Sequence, residues 1–309
     1  MTLVPAKPAP AAARSPAAKK PAAKRSNAKT PGAARPAPPT SALDVTVRNS
    51  VAIVVLNRPE LHNAFNEAVI AELTRTFEAL DRDAGIRAVV IAGAGKSFCA
   101  GADLNWMKRM STYGDAENLA DAQALAAMLR ALYGMSKPTI ARVHGAAKGG
   151  GVGLVACCDI AVAAQEATFA LSEARLGLIP ATIGPYVVEA IGARYARRYF
   201  LTAERFEAAE AYRIGLVHDI VTAAELDARI NELLGALMLA GPHAQLECKA
   251  LIRGVAHRPI DADVVGGTAE HIAAVRASPE AREGVAAFLE KRRPAWVPAP
   301  VAPPPAAKD

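Results

Sequence analysis

Apolar residues recur along this chain in two rhythms, one of period two and one near 3.6. Leu43-Asp44-Val45-Thr46-Val47 alternates, which predicts a strand. After a turn at Asn49-Ser50, the β-branched run Val51 to Leu56 predicts a second strand paired with the first. Asn57-Arg58-Pro59 breaks it. Asn66 then predicts the cap of a helix of about eighteen residues, since Val69, Ile70, Leu73, Phe77 and Leu80 fall on one helical face. Arg87 to Ala92 reads as a buried strand ended by Gly93-Ala94-Gly95.

The pattern then repeats. An Ala- and Leu-rich helix is predicted over 116–134, a strand over Thr139 to Val143, and a Gly-rich turn over 145–153. A helix over 152–157 and strands over 159–163 and 168–171 follow, and from 184 onward helices dominate, among them 184–201 and 223–240. Short buried strands alternating with helices predict a mixed α/β core with a helical C-terminal third packed outward.

Residues 1–41 fit neither rhythm. They are Ala, Pro and Lys with nothing large and apolar after Val4, and repeated proline removes helix donors. A disordered basic tail is expected there, then a core over 42–240, a helical region over 241–297 and a second disordered tail over 298–309. The tail changes the reading of charge. The net charge is +6, but Lys7, Arg14, Lys19, Lys20, Lys24, Arg25, Lys29 and Arg35 stand in residues 1–41 with no acid, leaving 28 basic against 30 acidic residues elsewhere. The basicity belongs to the tail, where it suits weak nucleic-acid contact, and does not mark the core as a nucleic-acid binder.

Hydrophobic residues make up 52% of the chain, ample for a core, yet no apolar run is long enough to predict a membrane span. Cys99, Cys157, Cys158 and Cys248 form no C-x-x-C pair and have no histidines at zinc spacing, so no metal is expected. They read as small core residues of a cytoplasmic protein. His62, His144 and His218 read as hydrogen-bonded residues near the surface.

Several motifs fail on inspection. Gly93-Ala94-Gly95-Lys96-Ser97 resembles a phosphate loop, but the glycine required at position 90 is Val90. The glycines at 149–153 miss the dinucleotide pattern because position 154 is leucine, and no G-x-S-x-G elbow exists. Two glycine turns remain: Ser97 to Leu104 and His144 to Gly153, each after a predicted strand. Small residues let a ligand approach the backbone, and a helix start leaves N–H groups pointing outward. Side by side, two such turns could place two N–H groups on one oxygen as an oxyanion hole. Close strand–helix packing would demand the same glycines.

Ser97 to Leu104 and Gly145 to Ala164 resemble the two signature blocks of the crotonase (enoyl-CoA hydratase/isomerase) family. Asn57-Arg58-Pro59 with Asn63-Ala64-Phe65 resembles its opening block, and Ala287 to Arg292 its closing one, so the resemblance runs from about residue 44 to 296. It implies an α/β fold: a crotonase-like spiral of ββα units with a C-terminal helical trimerisation region. It also implies an acyl-CoA substrate and no cofactor beyond the coenzyme A of that substrate. The family's oxyanion donors match the backbone N–H groups of Ala102 and Gly150. Its CoA-site residues match Ala64, Ala100, Asp103, Leu104 and Asn105, with Phe288 and Lys291 at the adenine and phosphate end. Of the two glutamates in the family's hydratases, one matches Glu173 and the other falls on Gly153.

Within the family, Phe98 to Met107, Gly149 to Leu154 and Leu176 to Ile183 look most like bacterial methylglutaconyl-CoA hydratases. Hydration of 3-methylglutaconyl-CoA, in leucine or isoprenoid breakdown, is the reaction this implies. Tyr186 is a candidate helper for Glu173, and Lys148 or Arg175 a candidate partner for the substrate's second carboxylate. A Δ3–Δ2-enoyl-CoA isomerase, which needs one base, is the main rival; a decarboxylase and a non-catalytic CoA- or nucleic-acid-binding protein are others. A homotrimer or hexamer is implied.

Overall fold

The computed structural model describes residues 41–297, so the expectations for 298–309 and for all of 1–41 except Ser41 lie outside the described residues. The described chain opens with β1 (Leu43–Arg48) and β2 (Val51–Leu56), an antiparallel hairpin with Leu43 opposite Leu56. Asn49 and Ser50 both take positive φ, at 49° and 63°, which matches the right-handed twist of the strands they join. Helix α1 (Glu67–Arg82) is 16 residues long, two fewer than the apolar spacing suggests. Its cap is Asn66, whose Oδ1 accepts the Val69 N–H at 2.9 Å. The predicted face of Val69, Ile70, Leu73, Phe77 and Leu80 is the buried one.

After α1 the chain adds strands in pairs, one to each of two sheets. β3 (Ala88–Gly93) pairs in parallel with β2, and β4 (Ser97–Cys99) crosses to the second sheet. α2 (Leu104–Met110) and α3 (Asp115–Tyr133) lead to β5 (Thr139–Val143) in the first sheet and β6 (Ala146–Lys148) in the second. α4 (Gly150–Cys157) leads to β7 (Ile160–Ala164) and β8 (Thr168–Ala170), again one to each sheet. α5 (Gly184–Thr202) is interrupted at Gly192, where φ is +70°, so the predicted 184–201 helix is two segments. β9 (Arg205–Glu207), α6 (Ala208–Arg213), β10 (Asp219–Val221) and α7 (Leu226–Leu239) complete the core. The first sheet runs β1-β2-β3-β5-β7-β10 and the second β4-β6-β8-β9.

The three-residue strands β4, β6, β9 and β10, and helices α2 and α6, were not read from the sequence. Three residues are too few to show alternation. The main core, with Leu56, Phe77, Phe98, Leu129, Leu132 and Phe169, joins both sheets to the helices. A smaller cluster of Val51, Val90, Ile140 and Val162 packs α7, through Leu226 and Ile230, on the other face of the first sheet.

Three helices follow: α8 (Pro242–Val255), α9 (Ala262–Ala277) and α10 (Pro279–Leu289). They bury little of themselves: Lys249 in α8, Ala287 in α10 and nothing in α9. Lys249 anchors them. Its ammonium meets Asp159 Oδ2 at 2.5 Å and donates to the Lys137 carbonyl at 3.0 Å, while Asp159 also accepts from the N–H and hydroxyl of Thr139.

Candidate active site

Strands β4, β6 and β8 lie side by side and parallel, so the chain leaves all three at the same end. Just past those ends come Ala102, Gly150 and Glu173, which stand three, two and three residues beyond Cys99, Lys148 and Ala170. Three distant segments thus meet because the sheet registers them, in the region where open parallel sheets commonly bind ligands.

The two glycine turns touch. A Cβ built on Gly101, whose φ is +85°, would stand 2.8 Å from the Lys148 carbonyl oxygen and 3.7 Å from the Gly150 nitrogen. Phe65 joins them from below. Its backbone bridges the first turn: its N–H donates to the Gly101 carbonyl at 2.6 Å, and its carbonyl accepts from Asp103 at 2.8 Å. In that parallel bridge the neighbours of Ala102 make the hydrogen bonds, so the Ala102 N–H faces away from Phe65. The buried Phe65 ring meanwhile lies where a Gly150 Cβ would be, 2.7 Å from that position. Gly150 is the first residue of α4, so its N–H has no acceptor within the helix and adds to the positive end of the helix dipole.

Buried Asn63 and Asp103 and half-buried Arg58 brace the first turn. The Asn63 amide donates to the carbonyls of Ala94, Ser97 and Phe98 at 2.9, 2.8 and 3.2 Å. Arg58 donates to the Ala64 carbonyl at 2.7 Å and to Asp103 Oδ2 at 3.0 Å. Asp103 Oδ1 caps α2 by accepting from Asn105 N–H at 2.8 Å. Desolvation pushes the Asp103 carboxyl up, but the Asn105 and Trp106 N–H groups and Arg58 together hold it below the usual carboxylate range. Its side chain is therefore engaged internally. Neither the Asn63 nor the Arg58 role was visible in the sequence, because each partner is remote in the chain.

Glu173 opens a short 3-10 turn after β8. Its Oε1 lies 2.9 Å from the position of a Cβ on Gly149, whose φ is +48°, so only glycine leaves room there. Its Oε2 is buried and has no hydrogen-bond partner. Burial pushes the carboxyl above its ordinary range, against a smaller opposing pull from its own backbone N–H. An unpartnered, desolvated carboxylate beside two outward N–H groups can move a proton next to a developing oxyanion.

Residues 46–298 match the family model described as enoyl-CoA hydratase/isomerase. The chain belongs to this family. Among relatives, a crotonyl-CoA hydratase of Syntrophomonas wolfei is 34% identical over 245 residues, covering 79% of this chain and 93% of that protein. A mevalonyl-coenzyme A hydratase of Aspergillus fumigatus is 34% identical over 251 residues, covering 80% and 92%. Among solved structures, an enoyl-CoA hydratase of Shewanella pealeana superposes with a TM-score of 0.81 at 43% identity, covering 84% of this chain and 97% of that one.

In this enoyl-CoA hydratase/isomerase family member, the space beside Gly153, where the resemblance would put a second glutamate, is filled by apolar side chains. A Cβ on Gly153 would lie 2.3 Å from Ile183 Cγ2 and 3.5 Å from Leu129 Cδ2, both on buried side chains. The contact of Ile183 with Gly153 joins residues remote in the chain, so it has no local signal in the sequence.

Of the remaining candidates, Ala64, Ala100, Leu104 and Asn105 flank the first turn, whereas Phe288, Lys291 and Tyr186 lie elsewhere. Ala64 is buried, with its carbonyl on Arg58, and the Ala100 N–H donates to the His62 carbonyl at 2.9 Å. Leu104 and Asn105 are exposed beside Ala102. Phe288 and Lys291 are exposed at the end of α10, which packs chiefly on α9 and α8. Tyr186 does not join Glu173: its ring lies against Tyr133, 5.1 Å between centroids, in a separate cavity. The expected histidine roles are met, as His62 pairs with Ser97 Oγ, His144 with the Gly95 carbonyl and His218 with the Ala161 N–H. Cys99, Cys157 and Cys158 are buried as expected, but Cys248 is exposed. Desolvation pushes the Cys99 thiol up to about 12, which removes it as a nucleophile beside the first turn. Among the described residues no cluster suits a metal, and no helix is long and apolar enough to cross a membrane.

Proposed function

We propose that this chain hydrates a short, branched enoyl-CoA thioester, with 3-methylglutaconyl-CoA the leading candidate. The observation that carries the reading is the unpartnered Glu173 carboxylate lying against Gly149, one residue before an outward N–H. In this reading the thioester oxygen accepts hydrogen bonds from the Ala102 and Gly150 N–H groups. Water adds at the β carbon, electrons shift onto that oxygen, and an enolate forms. Glu173 takes the proton that water loses and returns it to the α carbon. Each oxyanion donor is worth about 3–4 kcal/mol in such a transition state. The reading calls for no cofactor beyond the coenzyme A of the substrate. A mevalonyl-CoA hydratase among the relatives supports a 3-methyl-branched acyl group. Lys148 and Arg175 are exposed and have no ion-pair partner among the described residues, and the reading pairs one of them with the diacid's second carboxylate.

The test is purified enzyme with 3-methylglutaconyl-CoA and crotonyl-CoA, following loss of the conjugated thioester absorbance and identifying products by mass. Glu173→Gln is expected to lower kcat by about a hundredfold or more with thioester affinity retained. Activity within a few-fold of wild type in that variant would overturn the role of Glu173.

One observation favours a second reading, a Δ3–Δ2-enoyl-CoA isomerase. Ile183 occupies the place beside Gly153, so a buried apolar wall stands where the other family carboxylate would be. A single Glu173 suffices to carry a proton between the α and γ carbons across the same enolate. Product analysis in deuterated water separates the two reactions.

The same reading includes self-assembly as a homotrimer or hexamer. It is supported by apolar side chains left in water on and between the last three helices, among them Ile260 at 88% and Phe288 at 81% exposure.

A further inference from the structure

Ile183 does more than fill a gap. On α4, Gly153 and Cys157 stand four residues apart and share one face of the helix, while Gly150, whose Cβ side is covered by Phe65, stands a turn earlier. On α5, Tyr186 and Ala190 follow Ile183 at i+3 and i+7 and form a matching stripe. At the near end of these stripes lie the Gly150 N–H and Glu173. At the far end, Cys157, Tyr186 and Ala190, with Tyr133, Glu189 and Ile252, line a cavity of about 360 Å³. From Gly150 to Cys157 is about 10 Å along the helix, and Gly153 stands about 4.5 Å along it. Between the two ends sits Ile183, 2% exposed, so close to Gly153 that no Cβ fits.

Resting on the reading that a thioester carbonyl occupies the two turns, we propose that Ile183 determines acyl-chain specificity. It closes the α4–α5 groove just beyond the reacting carbons and divides the acyl subsite from the cavity. Short and β-branched chains end before this wall. Longer straight chains collide with it. Shortening Ile183 would join the two spaces and give a longer chain an apolar path past Gly153 towards Tyr186 and Cys157.

The experiment measures binding and turnover on the full chain. Butyryl-CoA and octanoyl-CoA are titrated calorimetrically into wild type, Ile183→Val and Ile183→Ala, and hydration of crotonyl-CoA and trans-2-octenoyl-CoA is followed in parallel. Wild type is expected to favour the short member of each pair. Ile183→Ala is expected to move the long-to-short ratio of affinity and of kcat/KM by about tenfold or more towards the long chain, with Ile183→Val between. Should Ile183→Ala fail to fold, Ile183→Val carries the test, since it removes one methylene and must shift the ratio in the same direction. Equal handling of both lengths by wild type, or an unmoved ratio in a folded variant, overturns the role of Ile183 and leaves the hydratase reading standing. A wild type that binds neither acyl-CoA overturns both.

Discussion

At the scale of single residues, Glu173 combines a functional assignment with an energetic cost. Its carboxyl is raised by desolvation, so in the folded state it holds its proton to higher pH than in the unfolded chain, where it titrates at the ordinary value of about 4.5. Native protein therefore binds more protons than unfolded protein between those two values, and stability falls as pH rises through them. Glu173→Gln removes the desolvated charge. Its urea midpoint is expected to match wild type near pH 4 and to exceed it at pH 8. A variant less stable than wild type at pH 8 would show that the carboxylate is satisfied by contacts a glutamine cannot make. Glu173 itself was legible through its motif. Its unpartnered oxygen was not, because partnership depends on what packs beside Gly149, more than twenty residues earlier in the chain.

At the scale of elements, the longer pieces were legible and the short ones were not. Helix α1 announces its cap and buried face through Asn66 and the spacing from Val69 to Leu80, because a 3.6-residue rhythm needs only local information. Strands β4 and β6 hold three residues each and exist because they pair with one another, Ser97 opposite Ala146. The two N–H groups hang from these strands, so that part of the site's framework was hidden from pattern, whereas β8, which leads to Glu173, was not. Helix α8 depends similarly on a remote partner, through Lys249 and Asp159. That pair is partly buried, with side chains 9% and 32% exposed, which places its worth between surface and interior values. Lys249→Ala is expected to cost about 2 kcal/mol in urea unfolding. Lys249→Met, which keeps the aliphatic stem, should lose less if packing shares the anchoring role.

At the scale of the whole molecule, paired strands feeding two sheets explain why a mixed α/β core was readable from alternating patterns, whereas the assignment of strands to sheets was not. Pattern reports that a strand is buried, not which neighbour buries it. The outward helices α8 to α10 and their connections leave Ile252, Ile260, Phe288 and Leu289 exposed, and the proposed assembly would cover such residues. Sedimentation velocity is expected to give a mass of three or six chains, and Phe288→Glu with Leu289→Glu to shift it towards one. A wild-type chain that sediments as a monomer at micromolar concentration would refute the assembly. Phe65 has a consequence of the same breadth. One aromatic ring and its own peptide groups hold both outward N–H groups, so the pair is mechanically a single part. Heat or denaturant that loosens one turn releases the other with it, and the grip on a charged oxygen fails in one step rather than donor by donor.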